Sequence, residues 1–334
     1  MDERAATTSE RLPDQEAPPR RRHPAFKAVL RIAVGGAVIG LLLLKGDLGE
    51  IAAVIGDARP LYLVAAFGII LLGLLVSAAR WQAYLKPLGL SLPTPTLFRL
   101  YFVGTFFNAF LPTGVGGDAY KAMRLRRETG MLARAFASVF LDRFAGVIGL
   151  ALVGFAGVVA RVASGDRGRV VGVAAALAGA VLIAATLVLW FGERLAGRKR
   201  RPAGRFAIRA RLRRMLAATA TAGRDPEASV RGIALGVVFQ TLVLAYHVVI
   251  ARALRLDVSI AVLACIVVIS SLATTIPLTI NGLGFREGSY VWALGAYGVG
   301  HDAALAFGLL ILGVLLASSV VGGIVYVLGG GEVP

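Results

Sequence analysis

Residues 170–191, 232–251 and 303–328 contain no Asp, Glu, Lys or Arg. Each reaches the ~20 residues that an α-helix needs to cross the hydrocarbon of a bilayer. Such stretches leave few structural options, because backbone N–H and C=O groups in lipid must be satisfied within the segment itself. The composition agrees: 57% of residues are apolar and only 16% are charged. The mean hydropathy is +0.76, well above the soluble norm. Residues 60–79, residues 32–44 with their flanks, and residues 144–160 with an N-terminal extension supply three further spans. The expectation is an all-α integral membrane protein.

Residues 1–25 are polar and rich in Pro and Arg, and read as a disordered cytoplasmic tail. The apolar run that follows lacks a small-x-small cleavage site, which favours an uncleaved signal anchor over a removed signal peptide. Cys265 is the single cysteine, so no intrachain disulfide forms.

Charge placement sets the expected orientation. Residues 192–228 are crowded with arginine, and the positive-inside rule puts them in the cytoplasm as a basic loop. Arg20, Arg21, Arg22 and Lys27 place the N-terminus there as well. The stretch between Arg80 and Arg134 must then begin and end inside, although it holds the apolar run LFRLYFVGTFFNAFLP. That run is too short to span. A re-entrant hairpin reconciles the two, with its break at Pro112, Gly114, Gly116 and Gly117. In the second half, residues 258–276 run into IPLTINGLGFREGSY, a matching hairpin from outside with its break at Pro277, Gly282 and Gly284. The flanks of this second hairpin carry balanced charge, which permits an outside location.

From the start of the second span in each half to its break proline is about 52 residues in the first half (Pro60 to Pro112) and about 48 in the second (Ser229 to Pro277). The expected fold is a single domain over residues 26–328, with about six full spans, two re-entrant hairpins and an inverted-topology repeat (residues 26–160 and 169–328). Secondary transporters with interrupted helices use this architecture and bind substrate near the midplane. Eight ordinary transmembrane helices are the alternative.

Arg80-Trp81, FFNAFLPTGVGGDAYKAMRL, SVFLDRFAGVIGL and IPLTINGLGFREGSYVWAL, taken in order, resemble the flippase-like family. That family contains the lysylphosphatidylglycerol synthase transmembrane region, the flippase portion of the multiple peptide resistance factor and the YbhN-like proteins. The resemblance covers residues 26–328. It implies a multi-pass protein of the bacterial cytoplasmic membrane that moves an anionic phospholipid or lipid-linked amphiphile; charge placement and the order of spans put both termini inside. Lysyl transfer is not expected, because only a few residues follow the last span.

Asp142 and Arg143 lie about 14 Å into their helix at 1.5 Å per residue, where an unpaired charge costs ~3 kcal/mol. Neighbours in a helix point about 100° apart, so each needs a partner from elsewhere. Candidates are Asp118, Lys121 and Arg124 of the first hairpin, and Arg286 and Glu287 of the second. A planar guanidinium suits phosphate better than an ammonium does, so Arg143 and Arg286 are the expected headgroup ligands. An ion-pair cluster pinning the hairpins is the competing role. Asn108 and Asn281 sit beside the breaks, suited to satisfying freed backbone groups or to touching substrate. Gln240 and His247 share a helix face that lines the same cavity or glues helices together.

Residues 205–219, RFAIRARLRRMLAAT, place Ile208, Leu212, Met215 and Leu216 on one face. This basic amphipathic helix suits anionic inner-leaflet headgroups. Cytoplasmic basic segments account for the net charge of +17, and no nucleic-acid partner is expected. Motifs of embedded or metal-dependent enzymes (DDxxD, HExxH, GxSxG, CxxC) are absent from the sequence. No enzymatic activity, catalytic residue, metal or cofactor is therefore expected. An accessory subunit that partners a lipid- or glycolipid-modifying enzyme is the rival reading, and a membrane-embedded transferase is the next.

Overall fold

The computed structural model describes residues 24–111, 116–196, 219, 222–275 and 279–329. The described elements are helical: α1 (Pro24–Leu44), α2 (Leu48–Gly56), α3 (Pro60–Ala83), a 3-10 turn (Lys86–Leu88), α4 (Thr94–Phe110), α5 (Gly116–Thr129) and α6 (Leu132–Ala163). The second half contains α7 (Arg169–Ala196), α8 (Pro226–Ala253), α9 (Ile260–Ala273), a 3-10 turn (Ile280–Gly282), α10 (Phe285–Gly295) and α11 (His301–Leu328). Pro112, Gly114 and Pro277, the terminal tail and the amphipathic segment around Ile208, Leu212, Met215 and Leu216 lie outside the described residues.

Five helices, beginning at Pro60, Leu132, Arg169, Pro226 and His301, are long and apolar enough to cross a membrane. A sixth crossing is made if α1 and α2 count as one span bent by 93°. The Lys-Gly-Asp break causes that bend: α1 stops before Lys45, and the Asp47 carboxylate accepts the N–H groups of Gly49 and Glu50 at 2.7 and 3.2 Å to cap α2. Short α2 was not expected from the sequence. Pro60 and Pro226 sit in the first turns of α3 and α8, where a missing N–H costs nothing.

The chain alternates long helices with two short pairs, α4/α5 and α9/α10, which open toward opposite ends of the bundle. At the basic end, Arg134 donates to Leu88 O at 3.2 Å and Arg99 bonds Gly329 O. At the other end, Arg59 N donates to Ala253 O at 3.3 Å. There Tyr297, just after α10, donates to Asp166 in the α6–α7 connection at 2.9 Å. The Gly168 N–H, Arg161 and Tyr297 together hold the Asp166 carboxyl below the usual carboxylate range. Each short pair has its own apolar core. One joins Trp81, Leu97, Leu100, Leu125 and Leu141 around α4/α5. The other joins Ile250, Ile266, Tyr290, Leu294 and Phe307 around α9/α10.

Burial against lipid-like neighbours adds little driving force inside a bilayer, so close backbone contact does more of the packing there. α6 and α8 achieve it through glycine: a Cβ on Gly236 would lie 2.5 Å from Ala145 O, and one on Gly149 2.5 Å from Gly236 O. Similarly, Gly117 of α5 rests on the Gly104 carbonyl of α4.

Candidate functional site

The site grows from three helix faces. On α4, Tyr101, Gly104 and Asn108 recur at three- and four-residue spacing and so share one side. On α3, Ile70, Gly73, Ser77 and Arg80 do the same. α6 brings in Asp142 and Arg143 on diverging directions.

Asp142 is fully buried and turned toward α3. Its Oδ1 accepts from Arg80 Nε at 2.7 Å, and its Oδ2 accepts from Tyr101 OH at 3.2 Å. Lys121 Nζ lies 3.8 Å from the same carboxylate. Arg143 turns the other way and donates from Nε to Asp118 Oδ2 at 2.8 Å. The other oxygen of Asp118 lies 3.0 Å from Lys121 Nζ. The Lys121 ammonium also sits over the rings of Tyr101 at 4.2 Å and Trp81 at 5.4 Å, a favourable place for a desolvated cation. Trp81 is itself fixed by donating to Ser138 Oγ at 3.1 Å. Three cations and two carboxylates thus form one network, which leaves one positive charge.

Where α4 and the Ile280–Gly282 turn approach one another, the bundle forms a partly open cavity of about 260 Å³. Its wall is apolar along Ile70, Leu74, Phe239, Leu242 and Leu315. Its polar surface is formed by Arg143, Lys121, Ser77, Asn108 and Asn281. Arg143 presents itself to this space: 53% of its side-chain surface is accessible, against 2% for Lys121. Asp118 and Asp142 lie behind the two cations and are absent from the described lining.

The expected residues divide as follows. Arg143, Lys121, Asn108 and Asn281 share the cavity. Asn108 Oδ1 accepts the Gly117 N–H at 2.8 Å, so it satisfies a backbone group beside the break while lining the cavity. Asn281 is exposed and adopts φ 49°, a left-handed conformation that Asn tolerates better than most residues. Gly282 and Gly284, at φ 73° and 85°, continue the same turn. Gly116 and Gly117 do not form the break itself; they open α5. Arg124 is bonded to Glu128 at 3.5 Å, outside the cavity.

Arg286 departs furthest from expectation. It is nearly buried, and its Nη2 lies 2.7 Å from Glu287 Oε1. Glu287 uses its second oxygen to accept the Gly284 N–H at 2.7 Å, closing the first turn of α10. The carboxylate that caps the helix thereby draws the adjacent arginine onto itself and away from the cavity. Arg143 and Arg286 therefore do not converge. His247 likewise stays in the packing: its Nδ1 is 2.7 Å from Val243 O and its Nε2 is 2.9 Å from Tyr290 OH. Gln240 donates to Gly146 O at 3.2 Å.

Arg80, Tyr101 and Ser77 were missed as site residues. Arg80 stands near the basic end of a span, where positive-inside placement explains an arginine without further roles, yet it is only 3% exposed. The available signal was Asp142, which demanded a cation that its own helix could not supply.

The sequence matches the family described as lysylphosphatidylglycerol synthase TM region over residues 28–323. Among curated proteins, it is 23% identical over 303 residues to a UPF0104 membrane protein of Methanothermobacter thermautotrophicus, covering 84% of this chain and 88% of that one. Shorter matches are a UPF0104 membrane protein of Methanocaldococcus jannaschii, 32% identical over 35% of each chain, and one of Pyrococcus horikoshii, 25% identical over 37% of this chain and 38% of the relative. The latter two thus align over little more than a third of their own length. With nearly all the described helices inside the family match, this multi-pass membrane protein belongs to the lysylphosphatidylglycerol synthase transmembrane-region family.

Proposed function

We propose that the protein moves an anionic phospholipid or lipid-linked amphiphile across the membrane, without enzymatic chemistry of its own. The observation that carries this reading is the cavity between the tips of the two short helix pairs. It has an apolar wall and an arginine side chain that is about half accessible, a combination that fits a phosphate beside hydrocarbon. A guanidinium fork replaces phosphate hydration with directed hydrogen bonds. Two short pairs opening toward opposite ends are the arrangement that alternating-access transporters use, which supports this reading.

In this reading α4/α5 and α9/α10 are re-entrant hairpins, the arginine-rich end faces the cytoplasm of a bacterial cell, and the basic loop rests on anionic headgroups. Cysteine labelling tests the topology. Arg126→Cys is expected to react only with reagent on the cytoplasmic side, and Arg167→Cys and Ala296→Cys only with reagent outside. Cytoplasmic labelling of Ala296→Cys would remove the second hairpin and with it the inverted repeat.

Movement itself is tested with purified protein in phosphatidylcholine vesicles carrying tail-labelled phosphatidylglycerol, with bleaching of outer-leaflet label as the readout. Protein-containing vesicles are expected to lose nearly all label, and protein-free vesicles about half. If both lose half, the protein is not a translocator. An accessory subunit would give that second result.

A further inference from the structure

We infer that α1 is a strap: it holds the Ile280–Gly282 turn in place beside the cavity and must lift before that turn can open. The lifting rests on the transport reading above, whereas the holding does not.

Asn281, Gly282 and Gly284 all take positive φ, at 49°, 73° and 85°, a conformation that favours glycine and, after it, asparagine. Asn281 faces the cavity. Gly282 is braced on the end of α9, where a Cβ would lie 2.5 Å from Thr274 Cα. The side beyond carries α1: a Cβ on Gly284 would lie 2.7 Å from Val38 Cβ and 3.0 Å from Gly35 O, and one on Gly35 would lie 3.3 Å from both Cβ and O of Leu283. Glycine on each partner brings two backbones together. Held between the end of α9 and α1, the turn cannot shift far while α1 stays where it is.

The way α1 is attached suits it to lifting. Near its C-terminal end, Leu42 and Leu43 join Ile51 of α2 and Leu305 and Ala306 of α11 in one apolar cluster, and Gly46 at the bend rests on the Asp302 carboxylate. That end is moored. From Val29 to Leu41, by contrast, Gly35 is the only buried residue, and it is the residue that meets the turn. Gly36 and Gly40 lie in the same length of helix, and a Cβ on either would meet nothing within 4 Å. Packing does not call for glycine at these two positions. Glycine inside a helix weakens it relative to alanine, and Gly40 does so between the mooring at Leu42 and the contact at Val38.

Two full-length variants test the strap. Gly35→Leu enlarges the residue that meets Leu283 and is expected to push α1 off the turn. Hydrogen exchange in detergent should then speed up by at least about tenfold at the turn amides of residues 280–285, and keep the parental rate at the start of α5. Unchanged exchange at the turn overturns the proposal. Gly35→Cys/Leu283→Cys places two Cβ atoms close to the ~3.5–4.5 Å that a disulfide needs, and should cross-link on oxidation. The oxidised protein is expected to move almost no tail-labelled phosphatidylglycerol in vesicles until it is reduced, while either single-cysteine variant is indifferent to oxidation. A pair that does not cross-link, or a cross-linked protein that moves lipid as fast as the reduced one, overturns the proposal. If the parent itself moves no lipid, faster exchange in Gly35→Leu upholds the holding role of α1 and removes the transport reading.

Discussion

Asp142→Ala is expected to be the most damaging single side-chain deletion in the bundle, lowering the thermal midpoint in detergent by roughly 10 °C. Asp142 has no exposed surface and receives Arg80 and Tyr101 at 2.7 and 3.2 Å. Without it, Arg80 stays 3% exposed beside Lys121, with two positive charges and only the shared Asp118 nearby. Removing one partner of a buried pair costs about 3–5 kcal/mol, because the remaining charge is left uncompensated. The double variant Arg80→Met/Asp142→Ala should recover much of that loss, since it deletes both charges together. If Asp142→Ala unfolds at the parental temperature, the carboxylate is not part of the scaffold.

The second large effect is expected at Gly117. A Cβ there would overlap the Gly104 carbonyl oxygen and come within 2.5 Å of its carbon. These are backbone atoms of a packed helix and cannot rotate away. Gly117→Ala must therefore push α5 off α4, which also breaks the bond from Gly117 N to Asn108. The expected cost is about 1–3 kcal/mol, with loss of lipid movement beyond what the stability change explains. Two neighbours serve as controls. Gly116→Ala would press on Leu111, whose Cδ1 can swing aside but whose Cβ at 2.9 Å moves only with the backbone, and should cost less than Gly117→Ala without being neutral. Gly288→Ala meets nothing within 4 Å and should be neutral or slightly stabilising, as an alanine in a helix usually is. A Gly117→Ala protein as stable and active as Gly288→Ala would contradict the close α4/α5 contact.

The spans and short pairs could be read from the sequence because their causes are local. Lipid demands about 20 apolar residues per crossing, and the runs before the two breaks are too short to meet it. The expected half-span of residues 258–276 and the observed Ile260–Ala273 differ by only a few residues at each end. Asp142 and Arg143 were legible for a related reason: charge in the middle of a span is costly and must be resolved. Their partners were not legible, because pairing depends on which face of a distant helix turns inward. Arg80 meets Asp142 across 62 residues of sequence, and a terminal arginine on a span looks the same whether it snorkels to water or points into the bundle. Arg286 shows the opposite failure. Its motif resembles that of the first short pair, but the adjacent Glu287 both caps α10 and captures the guanidinium. Ser77, without a hydrogen-bond partner among the described residues, has no signature in sequence, since serine is common in membrane helices.

The account rests on Arg143 meeting the headgroup while Arg286 holds the scaffold. The most direct measurement compares movement of tail-labelled phosphatidylglycerol in vesicles containing equal amounts of parental, Arg143→Gln or Arg286→Gln protein, with thermal midpoints recorded for each. Arg143→Gln is expected to fold within a few degrees of the parent, because Lys121 still neutralises Asp118, and to lose nearly all lipid movement. Arg286→Gln should unfold earlier, by an amount matching a broken buried pair of about 3 kcal/mol, while the folded fraction still moves lipid. A well-folded Arg143→Gln protein that moves lipid at the parental rate would contradict the central claim.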